Sequence, residues 1–284
     1  MKTLVAVGEV CDALVLGIRN YFEGAGFSKA VVGLSGGIDS AVVACLAVMA
    51  LGKDNVLGIS MPSRYSSEGS KDDACKLAKH LGVEIRTIPI DAPHVAYMSI
   101  LPGKPCSGAV ELWEENLQAR IRGTILMSIA NKEDRITLET GNKSEVAMGY
   151  FTLYGDSCGG LAPIADLFKT EVYCLAAHIN ETVRFEALGG CPIPDSTMTK
   201  TPSAELKPGQ KDRDNLPADY PMLDVVLHEH IEKGTAVGEI ARIVRKDESF
   251  VLGIVARMKR NEYKRKQLPP GIKVKEPDVA EGWR

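Results

Sequence analysis

Apolar residues at Val7, Val10, Leu14, Ile18 and Phe22 recur at helical spacing, so the chain is expected to open on an amphipathic helix over Val7 to Phe22. The pattern then changes. Short β-branched runs at Ala30 to Leu34, Val56 to Met61, Glu84 to Ile90 and Ile136 to Thr140 predict strands. Helical patterns over Ser40 to Leu51, Ser67 to Leu81 and Glu111 to Asn131 fill the intervals. Alternation of this kind predicts an α/β fold: a doubly wound parallel sheet with helices on both faces and right-handed crossovers. Ligands of such sheets bind at the carboxyl ends of the strands, which places a site just after Leu34, Met61, Ile90 and Thr140.

Beyond Thr170 a helix is predicted through Ile179, followed by a stretch from Gly189 to Pro221 dense in Pro, Gly, Ser, Thr and Asp. That is long for an inert connection, so it reads as disordered or functional. A helical tail over Leu223 to Lys259 leads into the basic cluster Arg257, Lys259, Arg260, Lys264, Arg265 and Lys266. There is no internal repeat. The expected organisation is one domain over residues 1–284, with a loop at about 189–221 and a tail from 222.

Composition narrows the classes. With 284 residues, 45% apolar and 25% charged, the chain can bury a sizeable core. A net charge of −3 provides no global attraction to nucleic acid or to an anionic membrane. The longest apolar run, Ala41 to Leu51, falls well short of the ~18 to 20 residues of a membrane span, and Glu9 and Asp12 interrupt the N-terminal apolar stretch. A cytosolic location is the expectation. Seven cysteines, Cys11, Cys45, Cys75, Cys106, Cys158, Cys174 and Cys191, contain no C-x-x-C pair and read as reduced, mostly structural thiols rather than a disulfide framework or a zinc site. His228 and His230, two apart on a helix, do not share a face and read as surface residues rather than a metal pair.

The strongest local signal is Ser35-Gly36-Gly37-Ile38-Asp39-Ser40, between a predicted strand and a predicted helix. Two glycines let backbone amides crowd around an oxyanion, and the helix N-terminus adds its positive dipole end. The bland alternative is a capped polar turn. The Gly-Lys-Ser/Thr ending of a Walker loop is absent. Asp39 and Glu145, both at strand ends, form a plausible oxygen pair for magnesium; individually they read equally as a helix cap and a surface acid.

At Ser35 to Ser40 the chain resembles the ATP pyrophosphatases, a superfamily of adenine nucleotide alpha hydrolase-like fold. With Glu115 to Arg122, Thr140 to Glu145 and Gly149 to Asp156 added, it is similar to NAD synthetases from about Lys29 to Lys275. That resemblance implies a ligase of NAD biosynthesis using ATP, deamido-NAD and ammonia through an adenylate, with Mg2+, and commonly a homodimer. It implies an ATP site formed by Gly33, Leu34, Ser35, Gly36, Gly37, Ile38, Asp39, Ser40, Thr140, Lys169 and Ser203. Lys169 would reach the phosphates, and Ser203 would belong to a covering loop. The metal would rest on Asp39 and Glu145. Deamido-NAD would meet Arg120, Leu153, Gly160, Tyr263 and Lys264, and Asp156 is a candidate to take the proton of ammonium.

Three positions depart from the stand-alone bacterial pattern. Tyr263 stands where His is common, and Leu153 and Gly160 stand where Lys and Asp contact the dinucleotide. These positions and the tail resemble the synthetase part of glutamine-dependent enzymes. Because the synthetase resemblance already occupies the 284 residues, the expectation is an ammonia-using synthetase without a glutaminase domain. The alternative is a glutamine-linked subunit fed by a separate glutaminase. Rivals are GMP synthetase, a tRNA-adenylating thiolase, which the absence of paired cysteines disfavours, and a non-catalytic nucleotide-binding protein.

Overall fold

The computed structural model describes residues 7–101, 110–182 and 191–275. Its frame is a four-stranded parallel sheet in the order β3-β2-β1-β4, built from β1 (Ala30–Gly33), β2 (Val56–Ser60), β3 (Glu84–Thr87) and β4 (Ile136–Leu138). Ala30 sets the register, facing Val56 on one side and Ile136 on the other. The side chains alternate between two cores as the pleat requires. Ala30, Val32, Val56, Ile136 and Leu138 enter the larger core with α1 (Val7–Ala25), α2 (Ile38–Leu51), α3 (Glu68–Leu81) and α7 (Lys169–Thr182). Val31, Leu57 and Ile59 point to the opposite face and meet Ile121 and Ala130 of α5 (Leu112–Glu133). Helices on both faces explain why β1, β2 and β4 are buried on both sides, whereas the edge strand β3, Glu-Ile-Arg-Thr, stays partly exposed.

The strands end earlier than their sequence runs suggest, because the chain leaves the ladder to build the site. At β4, for example, the next residue, Glu139, donates its N–H to Leu161 at 2.9 Å. Two helices were not expected from periodicity: α4 (Asp91–Ile100) and α6 (Lys143–Met148). The second is too short to display a period and is held by a capping box between Asn142 and Glu145.

The segment expected as irregular contains α8 (Asp195–Thr199) and a 3-10 turn at Asp212–Asp214, while its first residues, 189–190, lie outside the described ones. The tail is a bundle rather than one helix. It comprises α9 (Tyr220–Leu227), a π turn at His228–Glu232, α10 (Val237–Val244), α11 (Glu248–Arg260) and α12 (Glu262–Arg265). Gly234 and Arg245, at φ of 66° and 55°, break it. Helices α9, α10 and α11, the π turn and α6 share a separate core around Met148, Phe168, Leu223, Ile231, Ile254 and Met258. Among the described residues no helix is long and apolar enough to cross a membrane.

The described cysteines are free thiols, as expected, but fewer of them are structural than the sequence suggests. Only Cys11 and Cys45 are buried; Cys75, Cys174 and Cys191 are exposed, Cys158 is intermediate, and Cys106 lies outside the described residues. The His228 side chain is 40% exposed, with its ring 2.8 Å from Glu232 at the other end of the π turn. His230 is half-buried.

Candidate active site

The carboxyl ends of β1, β2 and β4 open into one cavity of about 560 Å³, roofed by the segment from Thr201 to Asp212. The loop after β1 forms its floor. Gly36 has φ of 79°, and a Cβ there would lie 2.2 Å from the carbonyl oxygen of Ser70, so only glycine fits between this loop and α3. Ser35 Oγ accepts from the Gly37 N–H at 3.1 Å and Ser40 Oγ donates to the Gly37 carbonyl at 3.0 Å, holding the loop in shape. No side chain caps α2 at Gly37, which leaves its first N–H groups free to meet an anion.

Asp39, in the first turn of α2, and Glu145, in the first turn of α6, converge on one cation. Lys169 Nζ lies 2.5 Å from Asp39 Oδ2 and 3.3 Å from Glu145 Oε1. Asn142 fixes Asp39 Oδ1 at 3.0 Å, and the Tyr220 hydroxyl oxygen lies 3.2 Å from Glu145 Oε1. Burial by itself would strip the Lys169 proton, but the two carboxylates outweigh it and hold the ammonium charged. Burial also pushes Glu145 upward, against the pull of Lys169. A cation bridging two carboxylates is the environment a divalent ion would find, so the pair fits a metal. Among the described residues no third His, Cys, Asp or Glu joins to complete a protein cage.

Thr140, Lys169, Asp156, Lys264 and Ser203 line the same cavity, as do the loop residues Gly33, Leu34, Ser35, Gly37, Ile38, Asp39 and Ser40. Gly36 lies behind the loop against α3 and is not on the cavity wall. The hydroxyl of Ser203 is committed within its own segment, donating to the Gln210 carbonyl at 2.6 Å. Asp156 is exposed to the open cavity, and desolvation by the protein around it raises its carboxyl; its Oδ1 accepts from the Thr152 N–H at 2.8 Å. Lys264 donates to the carbonyls of Gly149 and Phe151 at 2.9 and 2.8 Å, so the tail is anchored to the cavity rim.

The other dinucleotide candidates are not on that wall. Arg120 is exposed and donates to the Leu153 carbonyl at 3.2 Å, so these two hold each other. Gly160 packs on the edge of β4, where its N–H meets Thr137 and its carbonyl accepts from Tyr21, and Tyr263 is 57% exposed. The cause is local. Helix α5 is drawn tightly onto the loop from Thr152 to Cys158, since a Cβ at Gly123 would stand 2.7 Å from the Gly155 carbonyl. Arg120 is thereby turned outside and Arg122 inside.

Sequence reasoning passed over Arg122, Glu139 and Asp212. Arg122 lines the cavity and donates to the Met61 carbonyl at 2.9 Å; burial lowers its pKa to about 10 despite Asp156. Asp212 accepts from Tyr220 at 3.0 Å and Tyr150 at 3.1 Å, so the roof is bound to the tail core through an acid. Glu139 is 4% exposed and lines the cavity. Arg122 was visible as the second arginine of Arg120-Ile121-Arg122, but periodicity alone did not choose between them.

The NAD synthase family model matches residues 10–268. Glutamine-dependent NAD(+) synthetase of Synechocystis sp. is 49% identical over 99% of this chain and 49% of its own length. The Thermotoga maritima protein of the same name is 45% identical over 97% of this chain and 47% of its own. The chain thus spans about half the length of the curated relatives it matches. Among solved structures, a glutamine-dependent NAD+ synthetase of Acinetobacter baumannii superposes with a TM-score of 0.66 at 33% identity, covering 100% of this chain and 52% of that one. NMN synthetase of Francisella tularensis gives 0.75 at 27% identity, covering 93% and 97%.

These relatives correct one expectation. The ammonia-using reading rested on length, yet the similar proteins are glutamine-dependent and about twice as long, so the glutamine-linked alternative fits better. A cavity floored by amide donors and flanked by Asp39, Glu145 and Lys169, in a chain matched almost end to end, therefore leads to one assignment: this chain belongs to the NAD synthase family.

Proposed function

We propose that the chain amidates deamido-NAD to NAD at the expense of ATP, with nitrogen that originates in glutamine and is released at a glutaminase unit. The observation that carries this reading is the joining, in one cavity, of the anion loop at Ser35 to Ser40 with a second polar bay lined by Asn116, Arg122, Asp156 and Lys264. One end suits the phosphates of ATP, and the other suits a second, polar substrate.

A carboxylate resists an amine because oxide would have to leave, so activation precedes amidation. The nicotinate carboxylate attacks the α-phosphate and pyrophosphate departs. The N–H groups at the start of α2 and the Lys169 ammonium lie where the departing charge gathers, and preorganised donors of that kind are the largest single source of rate. Asp39 and Glu145 would hold Mg2+, which when bound neutralises phosphate charge. With those carboxylates on the metal, Lys169 would be left to face the phosphates. The roof, tied to α3 by Glu205 and to α5 by Lys207 and Gln210, keeps water from the adenylate.

The test mixes the chain with ATP, magnesium, deamido-NAD, glutamine and a purified glutaminase unit, with NAD, AMP and pyrophosphate as the expected products. Pyrophosphate formation with nicotinate mononucleotide or xanthosine monophosphate, but not with deamido-NAD, overturns the substrate. Nucleotide binding without turnover overturns the activity. The pairing of two copies implied by the resemblance is measured by light scattering.

A further inference from the structure

Glu139 follows β4, with its main chain pinned by the bond to Leu161 and its Cβ backed by Gly159, where an added Cβ would lie 3.2 Å away. One carboxyl oxygen, Oε1, accepts from the Gly141 N–H at 2.8 Å. The other, Oε2, is buried and has no hydrogen-bond partner among the described residues. The charges that act on it most strongly are those of Asp156, Glu145 and Asp39, all acids, the last two already paired with Lys169. A carboxylate in this position, unpaired and 4% exposed, is costly to keep unless something in the working cycle brings it hydrogen-bond donors and positive charge. The side chain sits on the cavity wall next to Thr140 and Gly141, on the side toward Asp156 and Cys158, between the phosphate end and the second bay.

We propose that Glu139 seats the nitrogen donor: its free Oε2 receives ammonium, takes one proton, and leaves ammonia facing the activated carbonyl. The assignment rests on the amidation reading above. The step balances: ammonium and carboxylate become ammonia and carboxylic acid, the nitrogen lone pair forms the C–N bond, and the bond from carbonyl carbon to the adenylate oxygen breaks as AMP leaves. The proton lost as the amide forms goes to Asp156. Burial raises the Glu139 carboxyl to about 8, near the pH at which a group can both hold and release a proton.

The experiment compares wild type with Glu139→Gln in three reactions: deamido-NAD-dependent exchange of pyrophosphate into ATP, amidation with ammonium chloride, and amidation with hydroxylamine, which is already unprotonated at neutral pH. Exchange is expected to stay within about twofold while ammonium-dependent amidation falls by roughly 10²–10⁴. With hydroxylamine the deficit shrinks to under about tenfold, which loss of a merely structural contact would not produce. Glu139→Asp, which keeps a carboxylate but draws it back, recovers part of the ammonium activity and serves if the Gln variant does not fold. Equal losses in exchange and amidation, undiminished amidation, or no gain with hydroxylamine overturn the assignment. Absence of deamido-NAD-dependent exchange in the wild type overturns the amidation reading and this assignment with it.

Discussion

Replacing Lys143 with Met tests how the sheet domain is joined to the tail bundle. Lys143 has no exposed surface, and its Nζ lies 3.2 Å from Asp166 and 2.7 Å from Glu232, with the Phe168 ring centroid at 5.2 Å. Asp166 belongs to the loop before α7, and Glu232 ends the π turn of the tail, so one ammonium ties both cores. Breaking a buried pair from one side costs about 3–5 kcal/mol when the partner is left alone. Here neither acid is left alone. Asp166 keeps Lys273 at 3.1 Å and the Val274 N–H, while Glu232 keeps Lys275 at 3.0 Å and His228.

The expected loss is therefore about 2–3 kcal/mol, or a shift of roughly 1 M in the urea midpoint. A double-mutant cycle with Glu232→Gln is expected to show at least about 1 kcal/mol of coupling. Burial raises the Glu232 carboxyl, but His228, Lys275 and Lys143 outweigh it and hold it well below its ordinary 4.5. A depressed carboxyl contributes stability above its unfolded value and loses it as pH falls through the folded one. The gap between wild type and variant should thus narrow below about pH 4.5. A midpoint shift under about 0.2 M at pH 7, or no coupling, refutes the reasoning.

Asp39→Ala or Glu145→Ala is expected to lower turnover by on the order of 10² or more; near-normal magnesium-dependent turnover in both variants would remove the metal role. Gly36→Ala forces a side chain into φ of 79° and a Cβ to 2.2 Å from Ser70, so about 1–3 kcal/mol of strain is expected, with ATP binding at least roughly tenfold weaker by calorimetry. Glu139→Gln should raise stability. The carboxyl is lifted from 4.5 to about 8, so the wild type loses stability as pH climbs between those values, and the variant's advantage reaches a few kcal/mol at pH 8 and vanishes near pH 4. Urea unfolding at both values checks it. Ser203→Ala removes the bond to Gln210 and is expected to raise the KM for ATP a few-fold while kcat changes less, because the roof loosens by about 1 kcal/mol.

Strand and helix alternation, read from residues such as Val31, Leu57 and Leu14, was determined by sequence alone, since each buries a periodic face whatever its neighbours do. The anion loop was legible for the same reason: Gly36, Gly37 and the start of α2 are contiguous. Tertiary structure decided the rest. That Arg122 rather than Arg120 reaches the cavity depends on how closely Gly123 lets α5 approach Gly155, a contact between segments far apart in the chain. The tail did not show its breaks, because the π turn and the left-handed Arg245 leave the apolar pattern nearly intact. Glu139 could not be singled out by pattern, since an acid at a strand end is ordinary until the fold buries it and leaves one oxygen without a donor.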